Sequence, residues 1–171
     1  PQSRTIPNIT ARKMVLHGRF PYLSYPRRYR KEDYEAARRA MERSDAWELA
    51  DSPVQSLSGG QRQKVYLAMA MAQETQTILM DEPTTYLDIQ HQLSLMTVAQ
   101  QMAGQGTAVV LVLHDLCLAL RFSDRCVLLQ EGQMVQQGSP EEVFQSGTLE
   151  QVFQAHIRRV DTPNGWRYYY D

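Results

Sequence analysis

Two apolar stretches without polar alternation, Ile78-Leu79-Met80 and Ala108 to Leu113, flank a helical run from Ile89 to Met102. Strands that are apolar on both sides suit a parallel sheet covered on both faces, with the intervening helix as crossover. The pattern predicts a β-α-β unit and hence an α/β fold, with both strands buried front and back.

The rest of the chain is organised around that unit. Ala11 to Gly18 is spaced as a short helix closed by glycine. Phe20 to Tyr29 carries Pro21, Pro26 and four aromatics and reads as a loop. A helical pattern resumes over Lys31 to Arg43, with Tyr34, Ala37 and Met41 on one stripe, and again over Arg62 to Gln73, where Tyr66, Met69, Ala70 and Gln73 suit core packing. Downstream, Cys126 to Gln130 and Met134 to Gln137 flank the Glu131-Gly132 turn as a hairpin, and Pro140 to Gln145 and Leu149 to Ala155 read as short helices. Ile157 to Val160 and Trp166 to Tyr170 are placed to pair across Asn164-Gly165, a strong hairpin signal.

At 171 residues the chain is long enough for one domain with a sizeable core, and at 43% hydrophobic it is neither disordered nor fibrous. Two cysteines, Cys117 and Cys126, make no disulfide scaffold, no apolar run is long enough to span a bilayer, and no secretory signal is visible. A reducing cytoplasm is the default compartment. The net charge of -1 conceals an asymmetry. Eight basic residues and no acidic one lie between Pro1 and Lys31, whereas after Ala50 there are 7 Lys and Arg against 13 Asp and Glu. One end of the chain is a cationic surface.

Candidate chemistry falls at four places. Ser58, Gly59, Gly60 and Gln61 open a long helix, where unpaired amides and the helix dipole favour an anion and glycines let a phosphate approach the backbone. Ser58 and Gln61 equally fit a capping box that needs no ligand. Asp81 and Glu82 end the first apolar run, at the strand edge where open parallel sheets bind ligands. There Asp81 suits a magnesium ion bridging phosphates, and Glu82 could orient a water for attack on a phosphoryl group. Alternatively both acids start the Pro83-Thr84-Thr85 turn in solvent. Asp88 is either a nucleotide contact or the N-cap of the following helix. His114 ends the second apolar run, which puts it on the rim of Asp81 and Glu82 if the strands are parallel. An imidazole there can donate to a terminal phosphate, although a lone histidine is usually structural.

Taken in order, these elements resemble the nucleotide-binding subunit of ABC transporters. LSGGQ at Leu57 to Gln61 is similar to the signature motif, ILMDE at Ile78 to Glu82 to the Walker B segment, Tyr86 to Asp88 to the D-loop, and His114 to the switch histidine; Pro1 and Gln2 fall where the Q-loop does. GRFPY at Gly18 to Tyr22, AMAMAQE at Ala68 to Glu74, DEPTTYLDIQHQ at Asp81 to Gln92 and VLHDL at Val112 to Leu116 most resemble ATPases of ferric-siderophore importers, with haem and cobalamin importers close behind. Cys117 stands where those proteins commonly have asparagine.

The resemblance implies a partial P-loop NTPase (RecA-like) parallel sheet flanked by helices. It adds an N-terminal helical subdomain over residues 1–75, a core part over 76–171, and a C-terminal extension of β-hairpin and short helices. It implies ATP and Mg2+ as cofactors, Glu82 and His114 as catalytic residues, Gln2, Ser58, Gly59, Gly60, Gln61 and Asp88 as nucleotide contacts, and Asp81 with Gln2 at the metal. It also implies a second ATPase subunit, membrane permease subunits and, indirectly, a substrate-binding protein as partners, a peripheral place on the inner face of the cell membrane, and no nucleic acid. The chain has only Lys13, Lys31 and Lys64, none of them in the G-x-x-x-x-G-K-[ST] loop that holds the β- and γ-phosphates. The expectation is therefore a C-terminal part of a longer subunit, inactive alone. Two alternatives stay open: a soluble ATPase of the same superfamily acting on nucleic acid or ribosomes, suggested by the interleaved Arg and Tyr of Arg19 to Lys31, and an inert interaction remnant.

Overall fold

The computed structural model describes residues 8–85, 87–163 and 165–171. Its contacts divide the chain into a unit running to Leu111 and a unit spanning Val112–Asp171.

In the first unit, helix α1 (Ala11–Leu16) starts where Thr10 accepts the amide of Lys13, and it passes directly into a 3-10 helix, His17–Tyr22. Part of the stretch expected to be loop is thus helical; its Pro21 is accommodated in the tighter turn. Helix α2 (Lys31–Arg43) buries Ala36, Ala37, Ala40 and Met41, while Tyr34, expected on the buried stripe, is half exposed and meets the Tyr29 ring edge-on. Helix α3 (Gly59–Ala72) is the centre of this unit. Val65, Leu67, Ala68, Met71 and Ala72 are buried and Tyr66, Met69 and Ala70 pack against the same core. The 3-10 helix and α3 approach closely at Gly18, where a β-carbon would stand 2.3 Å from the Met69 carbonyl oxygen.

The β-α-β unit is present as β1 (Thr77–Asp81), α4 (Ile89–Gly104) and β2 (Ala108–Val112). β1 and β2 are neighbours in a two-stranded sheet, and the amide of Ala108 donates to the Gln76 carbonyl at 2.8 Å. That bond joins the leading ends of both strands, as parallel pairing through a crossover helix requires. The expected burial on both faces is not observed. Ile78 is buried and Met80 and Val109 pack on the helical core, but Leu79 is 75% exposed, and Val110 and Val112 are about half exposed. The helices cover one face of this sheet, and among the described residues the other apolar face is bare. Ile78 and Met102 share one cluster with α1, α2 and α3, so packing runs straight across the 75/76 boundary suggested by the sequence.

The second unit holds α5 (Leu116–Phe122), the antiparallel hairpin β3 (Cys126–Gln130) and β4 (Gln133–Gly138), α6 (Pro140–Gln145), α7 (Thr148–Phe153), and the antiparallel hairpin β5 (Ile157–Thr162) and β6 (Gly165–Tyr170). The first hairpin turns through Glu131 and Gly132, both at positive φ, the conformation that matches the twist of its strands. Leu116, Leu120, Leu128, Val143, Leu149 and Ile157 form its core, and Phe144 meets Tyr168 edge-on at 5.2 Å. Both cysteines are free thiols, pushed up by burial.

Candidate functional site

The first candidate group sits at the start of α3. Ser58 is the N-cap; its hydroxyl accepts the Gln61 amide at 3.3 Å, and the Gln61 side-chain oxygen accepts the Ser58 amide at 3.0 Å. The capping box is therefore formed. It satisfies two amides of the first turn and leaves those of Gly59 and Gly60 directed along the helix axis toward an outside acceptor. Ser58 and Gly59 are exposed, and Arg62 grips the Leu57 carbonyl at 3.0 Å, fixing the loop from behind.

Asp81 and Glu82 stand at the exit of β1, both exposed. Glu82 holds φ at +46°, a left-handed conformation that costs a side-chain-bearing residue roughly 1–2 kcal/mol. The turn that follows maintains it. The Thr85 amide donates to the Glu82 carbonyl at 3.2 Å, the Thr85 hydroxyl donates to the Glu82 carboxylate at 3.1 Å, and Pro83 and Thr84 are buried. Strain of this kind concentrates where a side chain is aimed for a purpose.

Asp88 is the N-cap of α4. Its carboxylate accepts the His91 amide at 2.9 Å and lies 2.8 Å from His91 Nδ1, and it is held below its ordinary range, first by the His91 amide. His91 does more than finish the cap. Its imidazole lies where a β-carbon on Gly60 would be, with Cδ2 at 2.6 Å from that position and Nε2 at 2.8 Å. The Gln92 amide group ties the same turn down by donating to the carbonyls of Thr84 and Leu87. The structure thus brings the Asp88 turn against the first turn of α3, through a residue the sequence reading passed over. The signal was present, since a side chain three places after an N-cap aspartate is positioned to answer it.

In the second unit, His114 is exposed between β2 and α5, and the next residue, Asp115, caps α5 by accepting the Leu118 amide at 3.0 Å. Gln2, and Tyr86 of the Tyr86 to Asp88 turn, lie outside the described residues. Among the described residues no three His, Cys, Asp or Glu side chains cluster to hold a metal. A magnesium ion bound through one or two carboxylates and the phosphates of a nucleotide needs no such cluster, so the Asp81 carboxylate fits that role. For a nucleotide, the open amides at the head of α3 fit an anion.

The profile of the family described as ABC transporter matches residues 1–85. Over 164 residues the chain is 40% identical to the ferric enterobactin transport ATP-binding protein of Escherichia coli K12, covering 95% of this chain and 60% of that protein. Residues 1–85 thus belong to the ABC transporter family, and the chain as a whole is similar to ATP-binding proteins of such transporters. It is also 45% identical over 145 residues to the hemin import ATP-binding protein of Rhodococcus jostii, covering 84% of this chain and 49% of that one. Among solved structures, an inward-facing metal-chelate type ABC transporter superimposes with a TM-score of 0.87 at 25% identity, covering all of this chain and 68% of that one. The chain thus spans about half to three fifths of the length of these related ATP-binding proteins. His91 is thus the side chain that joins Gly60, in the stretch that resembles the signature motif, to Asp88, in the stretch that resembles the D-loop.

Proposed function

We propose that this chain is part of the ATP-hydrolysing subunit of an importer for ferric siderophores or a chemically similar metal chelate. The carrying observation is the signature helix seated on the D-loop cap, with the acids of β1 at the near end of that turn. The likeness to ferric enterobactin and hemin import proteins supports the choice of cargo.

In this reading the Gly59 and Gly60 amides and the Ser58 hydroxyl, with Gln61 holding the capping box beside them, bind the terminal phosphate of a nucleotide carried by a second copy of the subunit. Asp81, with Gln2, would hold Mg2+, which would neutralise charge on the nucleotide's phosphates. Glu82 accepts a hydrogen bond from a water and orients it. His114 donates to a terminal phosphate oxygen and Asp88 completes the D-loop contact. ATP supplies the phosphoryl group whose transfer to water drives transport. Membrane permease subunits take up the resulting motion, with a substrate-binding protein delivering the cargo. No helix among the described residues is long and apolar enough to cross a membrane.

Uptake of radiolabelled ferric siderophore by cells whose sole importer ATPase is the full-length subunit containing this chain tests this. Glu82→Gln abolishes uptake at unchanged protein level. Normal uptake with that substitution overturns the reading.

A further inference from the structure

Elsewhere in the first unit, cations meet carboxylates: Arg12 with Asp51, Arg38 with Glu42, Arg39 with Glu74 and Lys64 with Asp45. The segment 23–30 departs from this. Arg27, Arg28 and Arg30 are exposed; Arg30 feels the Asp33 carboxylate, while Arg27 and Arg28 form no ion pair with an acid among the described residues. Arg27 lies over the Phe20 ring at 4.8 Å, and the Arg30 guanidinium donates to the Ser24 hydroxyl at 3.4 Å. Beside them Tyr25 is 96% exposed, so its ring contributes almost nothing to the fold.

This tip is held on a firm base. The Tyr22 hydroxyl donates to the Gln73 carbonyl at 2.5 Å, and the buried Arg19 guanidinium donates to the Ala72 carbonyl at 2.8 Å, so the segment hangs from the C-terminal end of α3. A protruding tyrosine ring among unneutralised guanidiniums suits a boundary that is apolar below and anionic above. The ring settles at headgroup depth while the cations meet phosphates.

We propose that Tyr25, Arg27 and Arg28 form a contact surface for an anionic lipid bilayer. The geometry favours a membrane over nucleic acid. A single tip engages a plane, whereas a bound strand needs aromatic platforms and cations aligned over several nucleotides. A long polyanion would also meet the acidic remainder of the chain, with 7 basic against 13 acidic residues after Ala50. The inference goes beyond the transport reading and needs neither nucleotide nor permease, so either can fail without the other.

The test is sedimentation of the 171-residue chain with vesicles of phosphatidylcholine alone or mixed equally with phosphatidylglycerol. Binding to the mixed vesicles that weakens as salt rises is expected. Each basic residue near an anionic surface is worth about fivefold in partitioning, so Arg27→Gln with Arg28→Gln lowers binding roughly thirtyfold. Tyr25→Ser lowers it several-fold, and circular-dichroism melts of both variants overlay the parent's. Equal binding to neutral vesicles, or unchanged partitioning of the double variant, overturns the proposal. So does tighter binding to a single-stranded oligonucleotide that the same substitutions abolish.

Discussion

The imidazole of His91 occupies the space a side chain on Gly60 would need, coming within 2.6 Å of where its β-carbon would stand, and its other face is bound to Asp88 through Nδ1. Glycine at this signature position is therefore required by the protein's own packing, in addition to any approach by phosphate. Gly60→Ala should destabilise the chain by about 1–3 kcal/mol, the usual cost of forcing a methyl into a filled space. In a His91→Ala background the same methyl has room, so most of that loss should vanish. Urea titration of the four proteins closes the cycle, and simple additivity of the two substitutions would show that the ring and the glycine are independent.

The Arg19–Asp33 pair is a second internal device. Arg19 Nε lies 3.1 Å from the Asp33 carboxylate with both side chains only 9% exposed, and Arg19 also reaches the Glu74 carboxylate and the Ala72 carbonyl. Removing one partner of a buried pair leaves the other charge uncompensated, so Arg19→Met should cost roughly 3 kcal/mol at neutral pH. Denaturant midpoints of Arg19→Met and wild type that coincide would show the pair to be idle.

The same site governs acid stability. The Arg30 amide, with help from Arg19, holds the Asp33 carboxyl below the usual carboxylate range. A carboxyl depressed in the folded state contributes stability that is fully present above its unfolded value, about 3.9, and is lost as pH falls through the folded value. Melting followed down the acid limb should therefore show a shallower decline for Asp33→Asn than for the parent, starting from a lower plateau at neutral pH.

How much of this was legible beforehand depended on which interaction set each feature. Local chemistry was readable: Ser58 with Gln61, Asp88 as a cap, and the Glu131-Gly132 turn are decided by residues within a few places of one another, and all three form as their types dictate. The order of motifs was readable for the same reason. What escaped were features set by distant neighbours. Leu79 and Val110 look like core from their own sequence, because apolarity says what a strand prefers and not whether anything covers it. His91 looked like one more polar residue on α4, since its partner Gly60 lies on another helix. The 3-10 turn His17–Tyr22 escaped because proline reads as a break, while its base is held by the carbonyls at the end of α3.

The three lysines of the chain also set a limit on its activity. Hydrolysis requires the β- and γ-phosphates to be gripped by a glycine-lysine loop, and none of the three lysines lies in such a sequence. The 171-residue polypeptide should turn over ATP no faster than the buffer background, and Glu82→Gln should leave that background unchanged. A phosphate-release assay giving turnover that Glu82→Gln abolishes would show that the cradle can be dispensed with.

The bare side of the β1–β2 sheet carries the last consequence. Leu79, 75% exposed, and Val110, about half exposed, alternate with the residues that pack on the helices, so both project from the uncovered face. A flat apolar strand surface in water recruits another like it, and charges placed on such strands are the usual remedy. The chain should therefore self-associate as concentration rises, and Leu79→Lys should shift light-scattering mass toward the monomer. Because the replaced side chain is mostly in water already, the substitution should leave the thermal midpoint of the monomer nearly unchanged. If the parent stays monomeric at high concentration, the exposed face is too small or too twisted to template pairing; if Leu79→Lys unfolds the chain, Leu79 contributes to a core it does not visibly touch.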